Sequence, residues 1–294
     1  MPRVLIAGCG YLGQAVAELL LTQGWQVEGW TKSPRLARER VPYPIRAVDI
    51  SSHEDVLAHK SDFDAVVHSA STRGGDSDSY RRVYVDGVRN LIGCFGNSRI
   101  LFTGSTSVYA QTNGEWVSEE SPAEPRHETG NILREAEEAV LAARGVIARL
   151  GGIYGPGRSA LLNKFLEGRA VLDSENDRFV NQIHRDDAAI AMFLLVDSAP
   201  AVGQTYNVVD NEPILQSECY RWLAAKLSRP LPSEKRPTRL WDATATQVST
   251  RKRGESNKRV SNAKLRALGW APRYPNFAEG MQKSVLLSLN REGP

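Results

Sequence analysis

The chain lacks any long hydrophobic run. Its longest, AAIAMFLLV, holds nine residues, against the roughly 20 that a helix needs to cross a bilayer. A transmembrane helix is therefore excluded, and no membrane partner is expected. Cysteine is scarce: Cys9, Cys94 and Cys219 stand far apart in sequence. They form no disulfide framework, redox pair or metal-ligand spacing, so a reducing compartment is the default. Charge of one sign is missing too. Lys and Arg number 37 against 34 Asp and Glu, a net +3, too mild to point to nucleic acid. The opening MPRVLIAGCG reaches its glycines too soon for a secretory apolar segment, and a cytoplasmic location is the expectation. Internal repeats and low-complexity linkers are absent, and neither a nucleophile elbow nor a Ser/His/Asp set is visible. His53 and His59 flank Glu54 and Asp55 without metal-binding spacing. A solvated helix explains them, and no metal is expected.

What is present is a chain of 294 residues, 41% hydrophobic and 24% charged, ordinary for a globular protein with a sizeable core. RVLIAG, QVEGWT, IRAVDI, DAVVHSA, RILFTGS and GVIARLG read as strands. Between them GQAVAELLLTQ, SYRRVYVDGVRNLIGCF and HETGNILREAEEAV read as helices. The alternation predicts βαβ units and a mainly parallel sheet. Several strands are apolar nearly throughout, as when helices cover both faces. After Gly151 the pattern loosens into the turn-rich GGIYGPGR and the helical LLNKFLEG, RDDAAIAMFLLVD, SECYRWLAAKL and SNAKLRALGW. The expected organisation is one domain over 1–150 and a mainly C-terminal lobe over 151–294. Segments such as QTYNVVD are expected to return to the main sheet.

The first strand runs into Gly8, Gly10 and Gly13 in G-x-G-x-x-G spacing, and a helix follows at once. That context makes the spacing a dinucleotide-binding turn. Gly8 permits the tight turn, Gly10 lets backbone approach a pyrophosphate, and Gly13 lets helix and strand pack closely. The helix start, Tyr11 and Leu12 included, supplies unpaired N–H groups for the anion. An acid ending the second strand would favour NAD. This strand ends instead in Thr31, Lys32 and Ser33, with Arg35 beyond, while Glu28 lies mid-strand and should fall short of the ribose. A hydroxyl and two cations suit a 2′-phosphate, so NADP is favoured and NAD stays open. Asp49 and Ile50 end the third strand, where an adenine would lie; Asp49 equally suits a cap for the next helix. Ser69, Ala70 and Ser71 end the fourth strand and are small enough to line the cofactor groove, with His68 a packed strand residue.

These segments resemble the extended or atypical short-chain dehydrogenase/reductases, the NAD-dependent epimerase/dehydratase family. VLIAGCGYLG, DAVVHSAS, LFTGSTSVYA, IARLGGIYGPGR, VNQIHRDDAAIAM and NKRVSNAKLRALGW all match family stretches, across nearly the whole chain. The resemblance implies a Rossmann-type doubly wound α/β sheet with a small α-rich C-terminal lobe. It also implies hydride chemistry at a carbon bearing oxygen, and backbone contacts to the cofactor from Gly152 and Ile153. Catalysis in the family usually uses a Ser or Thr, a Tyr, and a Lys four residues after the Tyr. Ser105 fits the hydroxyl position. Aligned on the Ala-Glu pair of HETGNILREAEEAV, Thr129 falls at the Tyr and Leu133 at the Lys, so the reactive pair is missing. That helix is expected to survive for its apolar face, formed by Ile132, Leu133, Ala136, Ala139 and Val140.

Tyr84, Tyr109, Tyr154 and His184 are the groups that could substitute. Tyr84 replaces a family Asn and either reacts or fills the space left by the missing Tyr. Tyr109 begins the loop after the fifth strand and could line the cleft. Tyr154 lies in a loop near the nicotinamide, and His184 belongs to joinery in which Asp186 caps a helix. Arg158, Lys164 and Arg178 lie in the lobe expected to close over the cleft. The basic cluster RKRGESNKR reads best as a solvated loop rather than a nucleic-acid contact. The expected partner is a small-molecule substrate, anionic or a nucleotide sugar, with a homodimer as the assembly to test. A non-catalytic NADP(H) sensor is the competing reading.

Overall fold

The computed structural model describes residues 1–33, 41–72, 74–234 and 256–289. The apolar runs of the first half become β1 (Arg3–Ala7), β2 (Gln26–Thr31), β3 (Ile45–Ala47), β4 (Ala65–His68), β5 (Arg99–Ser105), β6 (Glu115–Val117) and β7 (Val146–Leu150). Between them lie α1 (Tyr11–Thr22), α2 (His53–Ala58), α3 (Ser77–Tyr80), α4 (Gly87–Phe95) and α5 (Glu128–Ala142). The second half adds β8 (Gly152–Tyr154), α6 (Ala160–Leu166), β9 (Val171–Leu172), β10 (Phe179–Val180), β11 (Gln182–His184), α7 (Arg185–Asp197) and β12 (Thr205–Val208). It ends with β13 (Ile214–Leu215), α8 (Gln216–Leu227), β14 (Ser233–Glu234), β15 (Lys258–Val260), α9 (Ala263–Ala267), α10 (Phe277–Gly280) and α11 (Leu286–Leu289). Among the described residues no helix is long and apolar enough to cross a membrane.

Seven strands form one parallel sheet in the order β12-β7-β5-β4-β1-β2-β3. The chain order reverses between β1 and β4, which opens a crevice beyond their carboxyl ends, where ligands of doubly wound sheets bind. Both faces are covered because alternate residues of β1 are all apolar. Val4 and Ile6 pack with Leu12, Val16 and Leu20 of α1 and with Met192 and Leu195 of α7. Leu5 and Ala7 pack on the other face with Leu91, Cys94 and Phe95 of α4. β12, from the QTYNVVD segment, extends this sheet beside β7. A further core gathers Leu162, Phe165, Leu172, Tyr220, Leu223, Phe277 and Met281 in the second half of the chain.

α5 starts after His127 and buries Ile132, Leu133, Ala136 and Val140, with Ala139 partly buried. That is the apolar face read from the sequence. Its Glu137 is also buried, because Arg149 of β7 meets it there, Nε to Oε1 at 2.9 Å and Nη2 to Oε2 at 2.8 Å. α3 and α4 are one run of helix joined by a π-helical stretch, Arg81–Asp86, which carries Tyr84. Such wide turns recur at functional sites because they re-aim side chains.

Candidate active site

The glycine turn has the geometry that its spacing predicts. Gly8 holds φ +108°, and a Cβ there would lie 2.1 Å from the Ala70 nitrogen. A Cβ on Gly13 would lie 2.3 Å from the Gly8 oxygen. Gly10 differs: a Cβ there would meet nothing within 4 Å, so its bare face opens on free space. Gly10 is the N-cap of α1 and offers no side-chain cap, and the first turn holds no acid. The earliest intrahelical bond is Gln14 N–H to Gly10 O at 2.8 Å. The N–H groups of Tyr11, Leu12 and Gly13 therefore precede the helical ladder and aim outward with the positive end of the helix dipole. Ser69 braces the turn by donating its hydroxyl to Gly8 O at 2.9 Å. Ala70 packs beneath Gly8, and Ser71 is exposed.

At the tip of β2, Lys32 extends from the surface and pairs with Asp49 at 2.5 Å. That pairing, with the Ser51 hydroxyl and amide, holds the Asp49 carboxyl below its ordinary value despite partial burial. Ser33 N–H donates to Thr31 Oγ1 at 3.2 Å. Glu28 is buried and engaged, accepting from Trp30 Nε1 at 2.9 Å and Arg46 Nε at 2.8 Å. It has no freedom to reach a ribose. Arg35 lies outside the described residues. Ser52, not Asp49, caps α2, by accepting from Asp55 N–H. Ile50 turns its side chain into the core against Gly87 of α4 and its carbonyl oxygen accepts from Asn90 Nδ2 at 3.0 Å, so it offers no apolar wall to a ligand.

Tyr11 ties the turn to the second half of the chain. Its hydroxyl donates to Pro156 O at 3.0 Å. Arg158 and Arg185 lie over its ring at 5.3 and 5.1 Å from the centroid. Two guanidinium groups thus gather beside the first residue of α1, Arg185 also donating to Asp186 Oδ1 at 2.9 Å, a feature not read from the sequence. Gly152 is exposed and Ile153 half-buried on β8, the strand that leaves the sheet straight after β7.

Ser105 ends β5 half-buried, its Oγ accepting the Ser107 N–H at 3.1 Å. Among the described residues nothing accepts the Ser105 hydroxyl proton. Tyr109 does not line the cleft. It is fully buried, its hydroxyl donating to Asn207 Oδ1 at 2.9 Å and accepting from Arg149 Nη1 at 2.8 Å. Burial raises its pKa above the ordinary phenol value, so it is a neutral structural group. Tyr154 is buried as well, edge-on to His184, and burial raises its phenol far above the usual range. His184 is a buried N-cap: its Nδ1 accepts the Asp186 N–H at 3.2 Å, and Nε2 meets Ser284 Oγ at 3.0 Å. The cap is thus His184, with Asp186 one of the residues capped. Desolvation lowers its pKa to about 4, which keeps the ring neutral. Tyr84 keeps some exposure and packs against His68 and Tyr80. His68 is buried, its Nε2 at 3.0 Å from Val83 O. On α5, Thr129 is half-buried in the first turn, and Leu133 lies in an apolar cluster with Phe102 and Val108.

The family model for the NAD dependent epimerase/dehydratase family matches residues 4–208. The chain belongs to that family. Protein YeeZ of Escherichia coli K12 is 31% identical over 221 residues, covering 71% of this chain and 77% of YeeZ. The 2-alkyl-3-oxoalkanoate reductase of Stenotrophomonas maltophilia is 30% identical over 258 residues, covering 78% of this chain and 77% of the reductase. A Methylobacillus flagellatus structure assigned to the NAD-dependent epimerases/dehydratases superposes with TM-score 0.76 at 27% identity, over 99% of each chain. The chain is therefore of the broad NAD(P)-dependent oxidoreductase and epimerase class, on a Rossmann-type sheet.

The family implies a pyridine dinucleotide, and the residues present fit one. The open face of Gly10, the outward N–H groups of α1 and the nearby Arg158 and Arg185 suit a diphosphate. The end of the basic cluster departs from the solvated loop expected of it. Residues 251–255 lie outside the described residues, but Lys258–Val260 is strand β15, paired with β6. Arg259 stacks on Trp116 and Phe179.

Proposed function

We propose that this chain is an NADP(H)-dependent reductase of the atypical short-chain type, acting on a carbonyl of a small carboxylate-bearing substrate. The observation that carries the reading is Ser105. Its hydroxyl oxygen is held by the Ser107 amide while its proton has no acceptor among the described residues. It stands at the carboxyl end of β5, next in the sheet to the crevice-lining β4. A hydroxyl so held can donate to a substrate carbonyl oxygen and strengthen that bond as negative charge builds on it.

A bound nicotinamide would supply hydride-transfer chemistry. Gly8, Gly10, Tyr11, Leu12 and Gly13 would hold the diphosphate, Ser69, Ala70 and Ser71 the groove wall, and Gly152 and Ile153 the nicotinamide end. Thr31, Lys32 and Ser33 would take a 2′-phosphate, since Glu28 is committed to Trp30 and Arg46. Asp49 would release Lys32 to that phosphate. Of the phenols considered as proton donors, Tyr84 retains exposed surface while Tyr109 and Tyr154 do not. The relative named for reducing 2-alkyl-3-oxoalkanoates supports a substrate with both carbonyl and carboxylate. The test is NADPH oxidation, followed at 340 nm, with a panel of 3-oxo acids, ketones and nucleotide sugars. Turnover of a 3-oxo acid that falls about a hundredfold in Ser105→Ala supports the reading.

The burial of Leu133 and the threonine at position 129 favour a second reading, a cofactor-binding sensor without turnover. Tight NADPH binding with no oxidation across the panel would support it.

A further inference from the structure

The π-helical stretch Arg81–Asp86 is tied to the sheet by a histidine. Gly87 N–H donates to Arg82 O, five residues back, and Val83 and Tyr84 lie in the wide turn so formed. His68, the last residue of β4, is fully buried, and its Nε2 stands 3.0 Å from Val83 O. A carbonyl oxygen only accepts, so Nε2 carries the ring proton and donates it. Nδ1 is then a bare acceptor, and it meets no partner among the described residues. Burial lowers the imidazole's pKa and keeps the ring neutral. A buried acceptor left unpaired is unfavourable. What the histidine secures in return is the register of a turn that a regular helix would not make.

That turn sets the place of Tyr84. Its ring lies 6.0 Å from the ring of His68, 5.2 Å from that of Tyr80 and 6.3 Å, edge-on, from that of Phe102. His68 and Phe102 are register partners on β4 and β5. Toward the crevice, Ser69 and Ala70 follow His68, and Ser105 ends the strand that carries Phe102. From α5 the same cluster receives Ile132 and Leu133, with Tyr84 packed against it. Thr129 stands one turn before Leu133 on that helix. The phenol therefore occupies the corner between β4, β5 and α5 where the Tyr/Lys pair is missing, and it is only half-buried there.

We propose that Tyr84 delivers the proton of the reduction, and that His68 is the positioning residue that aims it. This rests on the reading of the chain as a reductase, and it names the group that does the work of the absent phenol. As the carbonyl carbon gains hydride from a reduced nicotinamide, its π pair moves onto oxygen. The Tyr84 O–H bond breaks and its proton joins that oxygen, which gives the alcohol. Water then reprotonates the phenolate. A phenol is a far stronger acid than the alcohol being formed, so the transfer runs downhill without a lysine. Ser105 holds the same oxygen while charge builds on it.

The test has two arms on the full chain. In the first, NADPH oxidation is followed with the carbonyl compound that the wild type turns over best. Tyr84→Phe should lower kcat about a hundredfold, with KM and the calorimetric affinity for NADPH within about threefold of wild type. His68→Leu should lower kcat at least tenfold, and His68→Gln, which keeps an N–H for Val83 O, should restore most of it. The second arm needs no turnover. The chain is labelled with 3-fluorotyrosine and the Tyr84 resonance assigned by its loss in Tyr84→Phe. That resonance should move in the His68→Leu spectrum and return in His68→Gln, while those of Tyr109 and Tyr154 stay. Wild-type kcat in Tyr84→Phe would overturn the proposal and leave the reductase standing. A Tyr84 resonance unmoved by His68→Leu would remove the histidine from it. A wild type that binds NADPH but reduces no carbonyl would overturn both readings together.

Discussion

Arg149 grips Glu137 through two parallel hydrogen bonds inside the core, where neither side chain has appreciable contact with water. The same guanidinium reaches Tyr109 Oη and lies 5.0 Å from the centre of that ring. Arg134 also contacts Glu137 from the next turn of α5. The network joins α5 to β7 behind the place where Thr129 and Leu133 stand. Glu137→Ala should therefore destabilise the chain by about 3–5 kcal/mol, because it leaves a buried guanidinium unpaired. Chemical denaturation with NADPH affinity measured alongside checks this. An effect below about 1 kcal/mol would mean that the pair is solvated.

The glycines of the turn should separate fold from function. Gly8→Ala forces a side chain onto φ +108° and a 2.1 Å contact with backbone. It should cost about 3 kcal/mol or more. Gly10→Ala adds a methyl to open space at an ordinary φ of −99°. It should change stability by no more than about 1 kcal/mol, yet weaken NADPH binding at least tenfold. Denaturation midpoints and calorimetry on the two variants make the comparison.

Installing a Tyr/Lys pair on α5 should not raise turnover. Leu133 is buried among Phe102, Val108 and Ile132. Leu133→Lys would place an ammonium in that cluster, costing on the order of 3 kcal/mol, and the Thr129→Tyr, Leu133→Lys double variant should show lower Tm and no gain in turnover. A double variant of unchanged Tm and raised turnover would show that the site still accepts the pair.

His184 gives the fold a pH dependence of definite sign. Its folded pKa, about 4, lies below the ordinary 6.5. The unfolded chain therefore binds a proton first as pH falls. The contribution is complete above about 6.5 and is lost toward 4, on the order of 3 kcal/mol in all. Asp187 and Asp210 act oppositely, since burial raises both carboxyls, so wild-type stability alone mixes the two. His184→Asn keeps an acceptor for the Asp186 N–H and removes the titration. The stability difference between wild type and variant should be flat above pH 7 and shift in favour of the variant between pH 6.5 and 4. A flat difference throughout would place the histidine in contact with solvent.

Much of this architecture was legible because its causes are local. Strand and helix periods, the φ > 0 demanded at Gly8 and the apolar face of α5 each lie within a few residues. What escaped the sequence depends on distant partners. Tyr109 reads as a cleft residue until Arg149, 40 residues away, and Asn207, 98 away, enclose its hydroxyl. A charged residue inside the apolar IARLGG was the available signal for that buried pair. The end of RKRGESNKR reads as solvated because nothing local reveals that β15 docks on β6. His184 reads as joinery, correctly, but the capping atom belongs to its own ring rather than to Asp186.

The glycine turn is predicted to hold a phosphorylated pyridine dinucleotide. Isothermal titration of the full chain with NADPH, NADP⁺, NADH and NAD⁺ tests it most directly, with Lys32→Ala in parallel. One saturable site is predicted, at least fivefold tighter for NADPH than for NADH, with that preference lost in Lys32→Ala. Absence of saturation by all four nucleotides up to millimolar concentration would contradict the account.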